Sequence, residues 1–368
     1  MIPVNEPLLD GNEKKYLNEC IDTGWISSEG PFIKKFETEM AKYVGRKHAI
    51  AVSNGSVALD AAVVALGIGK GDEVIMPTFT IISCAAAIVR AGAVPVLVDS
   101  DPMTWNIDVA KIEEKITKKT KAIMVVHIYG LPCDMNPIQI IARKYNLKII
   151  EDAAEMHGQT YFDKKCGSFG DLSTFSFYPN KHITTGEGGM ILTDNDELAE
   201  KCRALRNLCF IPEKRFVHHE LGWNFRMTNL QAALGLAQLE RIETFIQKKR
   251  WMGAMYQRLL EGIDWLQLPL AQTDYAKNIY WVFAMVIRNR AKIDAEQAMK
   301  RMAEFKIGTR PFFVGMHEQP VFRKMGLFHN ECYKVSENMS KNGFYVPSGL
   351  AISEEQIHQV AQHVKEIL

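Results

Sequence analysis

The chain has 368 residues, 47% hydrophobic and 24% charged, enough to bury a large core and to divide into two domains. Its 44 Lys and Arg against 43 Asp and Glu leave a formal charge of +1, without the electrostatic footprint of a nucleic-acid or anionic-membrane binder, so a small-molecule substrate is expected. The N-terminal segment is polar by its fifth residue and no window has the apolar length of a membrane span, which predicts a cytoplasmic protein.

From about residue 45 to 195, short β-branched runs alternate with helical stretches. Strands are expected at 48–53, 73–77, 94–100, 121–130, 147–154, 173–178 and 189–194, several of them apolar throughout, as in a sheet covered on both faces. SVALDAAVVALG, TIISCAAAIVRAG and PIQIIARKYN read as helices between them, giving the rhythm of an α/β domain with a largely parallel sheet. After residue 195, ELAEKCRALRN and one long pattern, TNLQAALGLAQLERIETFIQKKRWMGAMYQRLLEGI, read as helices. The second carries apolar residues three and four apart from Leu230 to Phe245 and is expected to act as a connector. Strands at 281–287 and 307–313 among helices predict a smaller α+β domain. The domains are placed at 1–248 and 249–368, with the N-terminal segment packing on the small one.

Cys20, Cys84, Cys133, Cys166, Cys202, Cys209 and Cys332 form no CxxC pair and are odd in number, which fits reduced thiols. His218-His219 has no Cys or carboxylate at ligand spacing, so no metal site is expected.

Three segments carry candidate chemistry. Ser53-Asn54-Gly55-Ser56 ends a strand and opens a helix, where unpaired N–H groups and the helix dipole meet an anion, although Ser and Asn also serve as plain N-caps. Glu151-Asp152 closes an apolar strand, at the sheet edge where ligands collect; His157 and Gln159 follow, and all read equally well as structural. Lys181 comes after Phe175, Phe177, Tyr178 and Pro179, surroundings that can desolvate an amine and lower its pKa. In that order, an anion cradle, an acid and an amine are what pyridoxal 5′-phosphate requires.

The stretches SNGS (53–56), GDEVIMPTFT (71–80), HIYGLPCDM (127–135), EDAAEMHG (151–158), GSFGDLSTFSFYPNKHITTGEGGM (167–190) and GWNFRMTNLQAALGLAQLE (222–240) resemble the DegT/DnrJ/EryC1/StrS family of sugar aminotransferases. GWISSEGPFIKKFE (24–37) and TRPFF…MHEQPVF (309–322) extend the resemblance to nearly the whole chain. It implies the fold type I of pyridoxal-phosphate transferases, like aspartate aminotransferase, and a homodimer with shared active sites. It also implies Lys181 as the Schiff-base lysine of a cofactor that cycles through pyridoxamine 5′-phosphate, and Asp152 as partner of the pyridine nitrogen. Gly55, Ser56 and Ser176 would hold the phosphate, Ala154 would lie against the ring, Asn224 would reach in from the other subunit, and Gln159 or Glu155 would lie near the ring hydroxyl or the substrate. Trp25, Ser27, Arg310 and His317 are candidates for the nucleotide sugar. Ile81 departs from the aromatic that many relatives place there, which puts that stacking contact in doubt.

The reaction so implied moves an amino group from L-glutamate to C4 of a nucleotide-linked 4-keto-6-deoxysugar for surface polysaccharide. GDP-4-keto-6-deoxymannose is the favoured acceptor, and the TTGEGG ending resembles members that aminate C4. The alternatives are a UDP-4-keto-6-deoxyhexose acceptor, a pyridoxamine-phosphate-dependent 3-dehydratase with His in the lysine place, and a non-catalytic regulator that binds the cofactor. His182 falls one residue after that place and is read as structural.

Overall fold

The computed structural model describes residues 1–211, 214–288 and 293–367. Seven apolar runs form one sheet: β1 (His48–Val52), β2 (Glu73–Pro77), β3 (Val94–Val98), β4 (Thr120–Val126), β5 (Lys148–Asp152) and, after a hairpin of β6 (Thr160–Tyr161) and β7 (Lys164–Lys165), β8 (Leu172–Ser176) and β9 (Gly189–Thr193). Their order is β1-β9-β8-β5-β4-β2-β3. Strands β3, β2, β4, β5 and β8 run parallel, while β9 pairs antiparallel with both β8 and β1. This is the mostly parallel α/β sheet expected. The strand expected at 121–130 ends early, at Val126, because the chain turns sharply at Tyr129, whose φ is +56°.

Helices α2 (Pro31–Val44), α3 (Gly55–Ala65), α4 (Ile82–Arg90), α5 (Met135–Tyr145) and α6 (Asp196–Arg206) flank this sheet, and α1 (Glu13–Thr23) packs on the helix Asn229–Leu239. Asn54 caps α3, accepting from the Val57 N–H at 3.0 Å. The small residues Ala58, Ala61, Ala62 and Ala65 of α3 are buried, which lets its backbone lie close against β8 and β9. One apolar core covers the α3 and α4 face and continues into Trp281, Val282 and Phe312; a second fills the face beneath α2 and α5.

The long helix expected over 228–263 is two helices, α7 (Asn229–Leu239) and α8 (Ile242–Leu260). A reciprocal Thr228/Gln231 capping box starts α7. The break falls where Glu240 turns to α1, accepting from Asn12 Nδ2 at 2.7 Å and Tyr16 Oη at 2.6 Å. The expected domain boundary at 248 therefore lies inside α8. A second, antiparallel sheet has the order β10 (Leu266–Gln267), β11 (Phe283–Ile287), β13 (Gly343–Val346), β12 (Arg310–Pro311). The expected strand 307–313 shrinks to two residues, since Pro311 has no N–H to give a ladder. Residues 2–6 run along this C-terminal part, Ile2 bridging Ile307 and Val4 O accepting from Ser348 N–H.

Candidate active site

The carboxyl ends of the parallel strands open on a cavity of about 770 Å³. Gly55, Ser56, Asp152, Ala154, Glu155, Ser176 and Lys181 all line it, so residues spread over 127 positions of sequence share one space. This is the crevice at strand ends where open α/β sheets bind ligands.

The first turn of α3 forms one wall. A side chain on Gly55 would meet Ser176 Cβ at 2.7 Å, so glycine there brings the free N–H groups of the helix start against the end of β8. The hydroxyls of Ser56 and Ser83 lie 2.7 Å apart and join the starts of α3 and α4. Ser83 was not singled out from sequence; it sits in the first turn of the next helix, and only the fold brings it beside Ser56. These donors and the dipole of α3 fit a phosphate.

Asp152 ends β5 with its carboxylate buried. Oδ1 accepts from the Ala154 N–H at 3.0 Å and Oδ2 from the Cys84 thiol at 3.3 Å. Burial pushes its pKa up against these two donors and the Lys181 charge. Glu155 Oε2 accepts from the Tyr129 N–H at 2.7 Å, and burial raises this carboxyl as well, with Lys181 opposing.

Lys181 Nζ stands 3.7 Å from Glu155 Oε1 and 3.9 Å from the centre of the Trp281 ring, with 11% of its side chain exposed. Burial lowers its pKa although Glu155 and Asp152 pull the other way. A buried amine of lowered pKa, held near but not locked to two carboxylates, can act as a nucleophile and as a proton carrier.

His182 goes to the opposite side. It is buried, does not line the cavity, and its Nε2 lies 3.5 Å from Ile279 O, with its ring 6.1 Å from that of His157. Burial, the Lys249 charge and His157 push it well below the ordinary histidine range, so it is held neutral.

Other candidates do not reach the cavity. Gln159 is fully buried and its amide is spent on the carbonyls of Gly130 and Lys277, at 2.7 and 2.9 Å. His317 ties Thr78 Oγ1 to Glu337 at 2.8 and 3.1 Å. Trp25 and Ser27 lend their carbonyls to Asn229, and Arg310 lies exposed, its guanidinium on the carbonyl of Thr309. Asn224 is exposed and accepts from Arg226 Nε at 2.9 Å. Ile81 does line the cavity, and the aromatic side chains there come from elsewhere: Phe175, Tyr178, Phe225, Trp281, Phe313 and Tyr345.

Among the described residues, His127, Glu151 and Cys166 bring ligand-type atoms within 4.8 Å of one another. They form a structural hub. The Cys133 N–H donates to His127 Nδ1 at 3.1 Å, which makes the ring the Nε2–H tautomer and directs that proton to Glu151 at 3.2 Å. Both ring nitrogens are thus engaged.

The model of the DegT/DnrJ/EryC1/StrS aminotransferase family matches residues 7–365. The chain belongs to this family. GDP-perosamine synthase of Caulobacter vibrioides is 45% identical over 369 residues, covering 100% of this chain and 98% of its own. GDP-perosamine synthase of Vibrio cholerae is 40% identical over 365 residues, covering 99% and 98%. Among solved structures, Helicobacter pylori PseC, an aminotransferase involved in pseudoaminic acid biosynthesis, superposes with a TM-score of 0.94 at 23% identity, covering 100% of this chain and 98% of that one, a likeness of fold. The architecture is therefore that of the pyridoxal-phosphate-dependent sugar aminotransferases, as the resemblance implied.

Proposed function

We propose that this aminotransferase moves an amino group from L-glutamate to C4 of a nucleotide-linked 4-keto-6-deoxysugar, GDP-4-keto-6-deoxymannose, and so forms GDP-perosamine. The observation that carries the reading is the convergence of Lys181, Asp152 and the α3 helix start on one cavity, in a chain 45% identical to a GDP-perosamine synthase over its full length.

The residues fit pyridoxal phosphate: a glycine-opened anion cradle, a buried carboxylate with lone pairs to spare, and a desolvated amine. When bound, that cofactor supplies an aldehyde that condenses with amines and a ring that withdraws electrons. Gly55, Ser56 and Ser176 would hold its phosphate, and Asp152 would keep its ring nitrogen protonated. Lys181 Nζ, made less basic by burial, would be the group that takes the α-proton from the amino donor and gives it up again, and with the keto sugar it would act in the opposite sense. Glu155, 3.7 Å away, steadies the amine while it carries the proton. The placement of His182 outside the cavity disfavours the dehydratase reading, which needs a histidine where Lys181 stands.

The reading includes a homodimer acting in the cytoplasm. Phe216 and Leu221 are 83% and 92% exposed, and the same segment leads to Trp223, which stacks on the cavity-lining Phe225 at 5.0 Å. Exposed large apolar side chains on a segment that leads to a cavity wall suit a surface covered by a second copy, with Asn224 carried to the partner's site. Among the described residues, no helix is long and apolar enough to cross a membrane.

The test is a parallel assay of the pyridoxamine-phosphate form against GDP-4-keto-6-deoxymannose and UDP-4-keto-6-deoxyglucose, with the product identified by mass and NMR. The expected result is a C4 amine on the GDP sugar at a kcat/KM well above that for the UDP sugar. Turnover of the UDP sugar alone overturns the choice of acceptor.

A further inference from the structure

Trp281 lies 101 positions from Asn180, in the C-terminal part of the chain, yet three contacts tie it to the candidate reacting lysine and a fourth anchors its backbone. Its indole Nε1–H donates to the carbonyl of Asn180, the residue before Lys181, at 2.7 Å. Its ring face receives Lys181 Nζ at 3.9 Å from the centre. Its own carbonyl accepts from the buried Lys249 Nζ at 2.9 Å, and its ring stacks on Tyr129 at 5.8 Å and 26°. Tyr129 in turn donates its N–H to Glu155, the carboxylate nearest Lys181. Lysine, indole, tyrosine and carboxylate form a closed ring of contacts, and Trp281 is 3% exposed, so little of the indole is open to water.

We propose that Trp281 is a positioning residue for Lys181: its indole face and the Glu155 carboxylate together form the resting place of the lysine amine when it is free, and its N–H fixes the backbone from which the lysine reaches. This rests on Lys181 being the reacting lysine. An ammonium over an aromatic face is favoured over the neutral amine by the ring quadrupole, most strongly where the pair is desolvated. The face partly offsets the loss of solvation without adding a third carboxylate beside Asp152 and Glu155. An amine so held keeps a proton available yet is freed by modest movement. Since β11, which Trp281 leads into, belongs to the second sheet, the placement of the lysine depends on how the C-terminal part docks on the first.

The test uses the full chain without cofactor. The rate at which trinitrobenzenesulfonate labels Lys181, followed by peptide mass, is measured against pH in the wild type, Trp281→Phe and Trp281→Leu. Loss of the ring face in Trp281→Leu lowers the pH midpoint of Lys181 by about 0.5 to 1.5 units. Trp281→Phe keeps a ring but loses the N–H donor, and its midpoint stays within about 0.3 unit while its thermal midpoint falls. Equal midpoints in all three, or equal shifts in both variants, overturn the proposal, because a merely structural tryptophan alters stability alone. If Trp281→Leu does not fold, the emission of Trp281, taken as wild type minus Trp281→Phe, serves instead. It titrates with the Lys181 midpoint and becomes flat in Lys181→Met; emission that ignores Lys181 overturns the proposal. The reacting-lysine reading fails separately, if Lys181→Ala retains transamination.

Discussion

Glu151 and Asp152 are neighbours at the end of β5, two carboxylates both buried, and they serve opposite purposes. Alternation along the strand sends them to opposite faces. Glu151 accepts from the N–H groups of Gly167, Phe169 and Gly170, from Ser173 Oγ and from His127, at 2.5 to 3.2 Å. Burial alone would raise its pKa, but the His127 bond and the backbone donors more than offset this and hold it below the ordinary value. Asp152 receives one N–H and one weak thiol donor, and its pKa stays raised. The pair Lys181 and His182 repeats the division: one residue faces the cavity with bonding capacity to spare, and the next is shut in the core. In the first pair saturation sets the structural carboxylate apart; in the second it is exclusion from the cavity, since the buried His182 Nδ1 has no hydrogen-bond partner.

Three substitutions sharpen this contrast, from the largest effect to the smallest. Asp152→Asn keeps shape but not charge; transamination falls about 10³-fold while urea unfolding changes little, checked by steady-state kinetics and equilibrium denaturation. Glu151→Gln does the reverse. An amide faces donors that a carboxylate satisfied, stability drops by about 3 kcal/mol, and kcat per folded molecule stays within several-fold.

The third concerns the core side of the Lys181 loop. His157 has no hydrogen-bond partner on either ring nitrogen, and burial, with Lys181, pushes its pKa down to about 3 from 6.5. Its folded-state pKa is depressed, so below pH 6.5 the unfolded chain binds a proton that the folded chain refuses. Stability is thus highest above 6.5 and is lost as pH falls towards 3, at about 1.4 kcal/mol per unit from this group. Between pH 6.5 and 5, His157→Phe is expected to lose about 2 kcal/mol less than wild type in urea titrations.

The seven strands of the large sheet were legible because each is a short, mostly buried apolar run set between helical stretches, a texture that Phe283–Ile287 of the second sheet shares. That Lys181, Asp152 and the α3 start share one cavity was legible because each sits at a local junction of strand and loop or helix. Ser83, Cys84, Trp281, Phe313 and Tyr345 were not: their places depend on contacts across tens to hundreds of positions, and nothing local distinguishes them. Gln159 and His317 misled for the same reason. Each is a polar residue inside a motif, but its partners, Lys277 O and Glu337 among them, lie far along the chain or in another element and use up its bonds. The break at Glu240 escaped the helical period because its cause is on α1.

The visible absorption of the protein loaded with pyridoxal phosphate, in wild type and Lys181→Ala, before and after glutamate, tests the assignment of the lysine most directly. The account predicts a yellow wild type that bleaches as 2-oxoglutarate forms, and a Lys181→Ala protein that binds the cofactor without that colour and forms no 2-oxoglutarate. Identical spectra for the two proteins, or colour that survives glutamate in the wild type, would contradict it.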